Sequence, residues 1–137
     1  MNPCDLTAVE ARRLIGARKL SAVELLESCL ARMDQVDHAV NCMVARDDAA
    51  ARAAAKAADA AVARGGALGA LHGLPVGVKD LENTKGLRTT YGSVIFKDFV
   101  PDEDQLIVRS VREAGAVVAG KTNTPEWGAG GNTRNAV

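Results

Sequence analysis

Cysteine and histidine are scarce in this sequence of 137 residues, which contains three copies of the first and two of the second. The cysteines show no CxxC spacing and the histidines have no ligand pattern around them: Cys4, Cys29, Cys42, His38 and His72. Disulfide frameworks and zinc sites need such spacings, so neither is predicted. Cys29 lies on the apolar side of a predicted helix, which favours a small buried hydrophobic side chain over a nucleophile.

An excess of charge of either sign is also missing, because 17 Lys and Arg residues balance 17 Asp and Glu residues. No global field therefore favours a nucleic acid or an anionic membrane as a partner. The longest stretch without a charged residue, Gly65 to Val78, contains five glycines and a proline and is too short to span a bilayer. The first residues lack the basic start and apolar core of a secretory signal, so we expect a cytoplasmic protein.

The residues that are present suit a globular protein, with 47% hydrophobic and 25% charged side chains. Two capping boxes each predict the start of a helix: Thr7 with Glu10, and Ser21 with Glu24. An alanine-rich stretch from about Asp47 to Arg64 predicts a third helix, which Gly65 and Gly66 would end. Because alanine has little side-chain area, this helix is expected to lie close against a neighbour or on the surface.

The second half of the chain carries short apolar runs separated by glycines. Leu74 to Val78 and Ala116 to Ala119 have the length and branching of buried strands. Between them a helix is predicted from Asp102 or Asp104 to Ala114, with one apolar face formed by Leu106, Ile107, Ser110, Val111 and Ala114. The order strand, loop, helix, strand is typical of an α/β unit with a parallel sheet.

These patterns predict two segments. Residues 1–66 form an N-terminal helical segment, and residues 67–137 form the start of an α/β core with a parallel or mixed sheet. The last ten residues, from Gly128 to Val137, have the composition of a loop and lead into no further element. Since a domain normally closes with an element packed on its core, we expect the chain to be truncated within its second segment.

Residues Gly115 to Thr122 match the phosphate-loop formula GxxxxGK[ST] at every position. A phosphate loop follows a strand and opens a helix, with its middle residues in an open turn. Here a predicted helix precedes Gly115, the middle residues form the predicted strand, and Pro125 disfavours helical geometry at Thr124. Nucleotide binding is therefore not predicted.

The segment Leu71 to Asp80, LHGLPVGVKD, places Lys79 at the end of an apolar strand. An ammonium group enclosed by apolar walls has a lowered pKa and can accept a proton near neutral pH. Spacing alone favours a plainer interpretation, in which Lys79 and Asp80 are a solvated pair at the strand end.

Two polar loops with glycines, Thr89 to Ser93 (TTYGS) and Gly120 to Gly128 (GKTNTPEWG), lie beside the strands. Loops at the carboxyl ends of parallel strands often build sites, although each loop alone is a weak signal. In order, LHGLPVGVKD, TTYGS, a helix with an acidic start and AGAVVAGKTNTPEWG resemble the amidase signature family. That family includes the A subunit of the tRNA-dependent amidotransferase, and the resemblance covers about Leu71 to Thr133.

The resemblance implies the amidase signature fold and hydrolysis of carboxylic amides by a Ser–cis-Ser–Lys triad, without metal or cofactor. The lysine of the GVKD motif is the base end of the relay, a role that carries over to Lys79. A base is needed because a serine hydroxyl is a poor nucleophile until it loses its proton. The family keeps both triad serines in a later segment rich in glycine and serine, and no GSS or SSGGS pattern occurs here. We therefore expect no amidase activity from this chain alone.

The resemblance also implies substrate contacts. Asn123, Trp127 and Gly128 follow a strand whose neighbourhood commonly lines the acyl pocket of the family, and Ser93 belongs to the loop that shapes the site. A core anchor is an equally good interpretation of Trp127. Asp80 is expected to be structural, through hydrogen bonds or charge pairing near Lys79.

Three functions stay open. The first is a free-standing amidase with a small-molecule amide substrate, either monomeric or a homo-oligomer. The second is the A subunit of a glutamine-dependent tRNA amidotransferase, which releases ammonia for partner subunits and does not itself contact nucleic acid. The third is an inactive truncated fragment whose exposed apolar strand faces and edges are covered by a partner. The pattern does not distinguish aryl, aliphatic and peptide amides.

Overall fold

The computed structural model describes residues 2–137, which form helices and one sheet. The α-helices are α1 (Ala8–Gly16), α2 (Ala22–Val40), α3 (Asp48–Arg64) and α4 (Leu106–Glu113). The strands are β1 (Met43–Ala45), β2 (Pro75–Lys79) and β3 (Val117–Thr122). Short 3-10 turns occur at Pro3–Asp5, Val94–Phe96 and Glu126–Gly128. The α/β class expected from the sequence is confirmed.

The first two helices begin where the capping boxes predict. Thr7 accepts a hydrogen bond from the amide of Glu10, and the carboxylate of Glu10 accepts one from the amide of Thr7. Ser21 and Glu24 repeat this reciprocal pair at the start of α2. Each box satisfies amide groups that have no partner within the helix, which explains why the helices begin there.

The alanine-rich α3 lies close against its neighbours, as expected. Asp47 caps its start by accepting a hydrogen bond from the amide of Ala50 at 2.9 Å, and the helix ends at Arg64, just before Gly65, whose φ is 77°. Its alanines Ala51, Ala55 and Ala58 are buried in a core shared with α1, α2 and β3. Those elements contribute Ile15, Leu26, Leu30 and Val117. Cys29 packs on the edge of this core, and burial raises the pKa of its thiol.

The sheet is mixed and has the order β1-β3-β2, so β3 is its central strand. β2 runs parallel to β3, and β1 runs antiparallel to it on the other side. The glycine in β3 is required by the approach of β1, since a Cβ on Gly120 would lie 2.6 Å from the carbonyl oxygen of Ala45. The sequence prediction found β2 and β3 and missed β1.

α4 begins at Leu106, later than the predicted start at Asp102 or Asp104. Asp104 is engaged elsewhere, because it accepts a hydrogen bond from the amide of Lys85 at 2.7 Å and pairs with Arg112 at 3.0 Å. The predicted apolar face is also not the buried one. Val108 is buried, whereas Leu106 is 74% exposed and Ile107 is exposed as well.

The segment that matches the phosphate-loop formula, Gly115 to Thr122, follows a helix and contains a strand, as the sequence predicted. α4 precedes Gly115, and Gly120, Lys121 and Thr122 belong to the buried strand β3. None of the helices in residues 2–137 is long and apolar enough to cross a membrane.

Candidate functional site

Lys79 is the last residue of β2 and lies opposite Thr122, the last residue of β3. Because the two strands are parallel, the loops that follow them begin at the same edge of the sheet. Lys79 is exposed, so residues 2–137 do not supply the apolar enclosure that the sequence argument requires of a lysine base. Its position, at a strand end with two polar loops beside it, agrees with a role at a site.

Asp80, the next residue, is buried and only 1% exposed. Its Oδ2 accepts hydrogen bonds from the amide of Thr90 at 3.1 Å and from the hydroxyl of Thr90 at 2.5 Å. Its Oδ1 has no hydrogen-bond partner, and the nearest cation is the ammonium of Lys121, 3.9 Å away. Asp80 is therefore structural, as expected, but its charge pairs with Lys121 and it is not part of a solvated pair with Lys79.

Lys121 is the residue that the sequence reasoning missed. Its side chain is completely buried at 0% exposure, and its Nζ donates to the Thr84 hydroxyl and the Thr89 hydroxyl, each at 3.0 Å, and to the carbonyl oxygen of Glu82. Burial lowers the pKa of Lys121 to about 8, against the opposing effect of nearby carboxylates, that of Asp80 first. The available signal was a lysine that directly follows a short apolar run, and the phosphate-loop formula, in which Lys121 is the lysine, gave it no other role.

All four phenylalanine, tyrosine and tryptophan residues of the chain form one group, which we call the aromatic cluster: Tyr91, Phe96, Phe99 and Trp127. Trp127 stacks on Tyr91 with ring centroids 5.2 Å apart and an interplanar angle of 7°. Phe96 meets Trp127 edge to face at 5.4 Å. Trp127 remains 52% exposed, so it joins the two loops and still presents half of its surface to solvent.

The two loops that meet in the aromatic cluster have unusual backbone conformations. Tyr91 and Trp127 are both left-handed, with φ of 54° and 52°. The amide of Tyr91 donates to the Asp80 carbonyl oxygen at 3.0 Å, and the amide of Trp127 donates to the Tyr91 carbonyl oxygen at 2.8 Å. Left-handed residues other than glycine are unfavourable and persist where surrounding contacts hold them, often near functional sites.

The residues predicted to contact substrate are divided between two places. Ser93, Trp127 and Gly128 come together, because the buried Ser93 hydroxyl donates to the carboxylate of Glu126 at 2.7 Å. Asn123 lies nearer to β1, where its amide nitrogen Nδ2 donates to the carbonyl oxygen of Asn41 at 3.1 Å and its Oδ1 accepts from Asn135 at 2.7 Å. The side chains of Ser93 and Asn123 are thus engaged within the chain, and their contact with substrate stays a prediction.

Candidate metal ligands do not gather in the described part of the chain. No three His, Cys, Asp or Glu side chains among residues 2–137 lie where they could hold one ion. What the site offers is an exposed lysine at a strand end, a buried ion pair behind it and a half-exposed aromatic surface beside it.

Comparison with known proteins gives one family. The family model described as Amidase matches residues 24–137. The A subunit of the glutamyl-tRNA(Gln) amidotransferase of Acidothermus cellulolyticus is 42% identical over 130 residues, which are 95% of this chain and 26% of that protein. The chain therefore spans about a quarter of the length of the curated relatives it matches.

Solved structures of amidases share the fold. A bacterial aryl acylamidase of the amidase signature family superposes with a TM-score of 0.86 at 26% identity, covering 93% of this chain and 27% of that one. The native peptide amidase of Stenotrophomonas maltophilia superposes with a TM-score of 0.80 at 33% identity, covering 90% of this chain and 26% of that one.

Proposed function

The chain belongs to the Amidase family, and from that premise we propose that the whole protein hydrolyses carboxylic amides with Lys79 as the base end of a Ser–cis-Ser–Lys triad. The observation that carries the proposal is the position of Lys79 in the GVKD motif, exposed at the carboxyl end of β2. From there its amine is open to a bridging serine supplied by another segment.

In this proposal the chemistry needs two further groups beyond residues 2–137. A nucleophilic serine attacks the amide carbonyl carbon as its proton passes through the bridging serine to the amine of Lys79. The same relay returns a proton to the departing amine, and water then hydrolyses the acyl-enzyme. The triad segment would also cover Lys79 and provide the apolar surroundings that make a lysine a usable base.

The test begins with the coding DNA and the transcript past the codon for Val137. A continuing frame with a segment rich in glycine and serine is expected. A frame that continues without one would overturn the proposal, and a stop codon at that point would leave an inactive fragment as the better interpretation.

With such a frame, the full-length protein is assayed for ammonia release from a panel of primary aryl, aliphatic and peptide amides. Lys79→Ala is expected to remove activity, with a loss of at least about 100-fold in kcat for a group that transfers protons. Lys97→Ala is the matched control, because Lys97 is exposed and forms an ion pair with the exposed Asp98 at 3.8 Å. Equal activity of the two variants would refute the role of Lys79.

A second candidate is the A subunit of a glutamine-dependent tRNA amidotransferase. It is favoured by the 42% identity to such subunits from Acidothermus cellulolyticus and Anaeromyxobacter dehalogenans. Here the same triad would release ammonia from glutamine for partner subunits. Ammonia release from glutamine that requires added partner subunits supports this function, and hydrolysis of other amides by the protein alone supports the free-standing amidase.

The remaining expectations from the sequence stay predictions. These are the cytoplasmic location and the absence of metal and cofactor, while a monomer and a homo-oligomer both stay open.

A further inference from the structure

We propose that Lys121 is a positioning residue for Lys79, because its buried ammonium holds in place the chain segment that carries Lys79. Lys121 does not touch substrate in this proposal and acts only through the segment it holds. The inference rests on the proposed function, since that function gives Lys79 its task as a proton acceptor.

The first connection between the two lysines is a single turn. Lys121 donates to the carbonyl oxygen of Glu82, and the amide of Glu82 donates to the carbonyl oxygen of Lys79 at 3.0 Å. The turn from Lys79 to Glu82 is thus closed on one side by its own backbone and fixed on the other by the ammonium of Lys121. A shift of Glu82 is transmitted directly to the peptide of Lys79.

The second connection is the charge of Asp80. A buried carboxylate is costly unless a cation compensates it, and Lys121 is the cation that lies within ion-pair distance. Asp80 in turn accepts both hydrogen bonds from Thr90, and its carbonyl oxygen accepts from the amide of Tyr91. The charge of Lys121 therefore stabilises the contact between the residue after Lys79 and the loop that bears the aromatic cluster.

The third connection runs through the segment between these two points. The hydroxyls of Thr84 and Thr89 both accept hydrogen bonds from Lys121, so all three donors of its ammonium are used. An apolar side chain of similar length would fill the volume of Lys121 but remove the donor to both threonine hydroxyls, and the Glu82 carbonyl oxygen would keep only the hydrogen bond from Thr84. The Asp80 carboxylate would keep its hydrogen bonds from Thr90 and lose its compensating cation. These groups surround the turn from Lys79 to Glu82. Their rearrangement would displace Lys79 while the helices stay folded.

A positioning role and a merely structural role differ in their kinetics, which can be measured in the full-length protein. Lys121→Met is expected to lower kcat by about 100-fold, the effect of misplacing a reacting group by about 1 Å. KM should stay within about twofold, because substrate binding is not what is lost. Lys56→Met is the control, since Lys56 is an exposed lysine on α3.

The double variant Lys121→Met with Asp80→Asn provides the rescue. The carboxamide oxygen of an asparagine can still accept from Thr90, and no buried charge then needs compensation. We expect the double variant to recover at least about tenfold in kcat over Lys121→Met, which is the non-additivity of two groups in contact. The proposal is overturned if the double variant is no faster than the single one, or if the loss appears in KM.

Amide hydrogen exchange in the full-length protein tests the same relationship without any assay of activity. In Lys121→Met, the amides of Thr90 and Tyr91 are expected to exchange at least about tenfold faster, while those of α2 stay protected. If Lys121→Met does not fold, Thr89→Val serves instead, because it removes one acceptor and leaves the charge.

Unchanged exchange at Thr90 and Tyr91 in the folded variant would overturn the inference whatever the protein hydrolyses. Faster exchange, in a full-length protein that hydrolyses no amide even when unaltered, would instead refute the proposed function and leave the link between Lys121 and the Lys79 turn standing.

Discussion

Tyr91 and Trp127, 36 positions apart in the chain, stack with nearly parallel rings and both have a left-handed backbone. The ring contact and the hydrogen bond from the Trp127 amide to the Tyr91 carbonyl oxygen act at the same point. Two strained residues therefore support each other, and the loops after β2 and β3 form one surface.

This stacking should be measurable as a coupling free energy. Tyr91→Leu and Trp127→Leu are each expected to destabilise the chain, and the double variant should lose less than the sum by about 1 kcal/mol. Urea unfolding followed by far-UV circular dichroism supplies the four free energies of the cycle. Additive losses would show that the rings are neighbours without an energetic interaction.

Gly128 should not tolerate a side chain. Its φ is 73°, and a Cβ would lie 2.7 Å from Cδ1 of Leu81. Gly128→Ala is expected to lower the free energy of unfolding by about 1–3 kcal/mol because the backbone strain and the clash add. Gly131→Ala is the matched control: nothing lies within 4 Å of its Cβ position, so its change should stay below about 0.5 kcal/mol. Equal thermal midpoints for the two variants would contradict this prediction.

Stability should rise with pH on the alkaline side of neutrality through Lys121. Its pKa is about 8 in the folded chain and 10.5 ordinarily, so between these values the unfolded chain binds a proton that the folded chain has lost. The free energy of unfolding therefore increases with pH in this window, by at most about 1.4 kcal/mol per pH unit, and this contribution is constant below about pH 8.

The measurement is urea unfolding from pH 7 to pH 10.5 in the unaltered chain and in Lys121→Met. The difference between the two curves isolates Lys121 from other titrating groups, among them the Cys29 thiol, whose raised pKa gives the opposite slope. A difference that does not change with pH would show that Lys121 keeps an ordinary pKa.

The outer face of α4 should tolerate polar residues. Leu106 and Ile107 are exposed, so Ile107→Ser is expected to change the free energy of unfolding by less than about 0.5 kcal/mol and to reduce self-association. Val108→Ser is the contrast, since Val108 is buried and its loss should cost about 2 kcal/mol. Light scattering and thermal melts test both, and a large loss of stability in Ile107→Ser would place a contact on this face.

Those parts of the fold that depend on residues close together in the sequence were predictable from it. Thr7 and Ser21 each cap a helix through a partner three positions away, and both helices start where predicted. β1 was missed because it has three residues, too few for a periodic pattern, and it exists only through pairing with β3.

The candidate site was predictable only in part, for a similar reason. The family resemblance selects Lys79, and the structure places it at a strand end. Lys121 was missed because the groups that accept its hydrogen bonds lie between 32 and 39 positions earlier in the chain. The prediction of which face of α4 is buried was wrong. Amphipathic spacing identifies an apolar stripe, whereas the neighbouring elements decide which residues are covered.

The gathering of every tyrosine, phenylalanine and tryptophan into one cluster gives the protein a local optical signature. Its intrinsic fluorescence and near-ultraviolet dichroism arise from the loops after β2 and β3 and contain nothing from α1, α2 or α3, whereas far-ultraviolet dichroism is dominated by those helices. The two spectra therefore observe different halves of one chain. Coincident melting curves would mean that the helical half and the site unfold together, and separated curves would give the order in which they come apart.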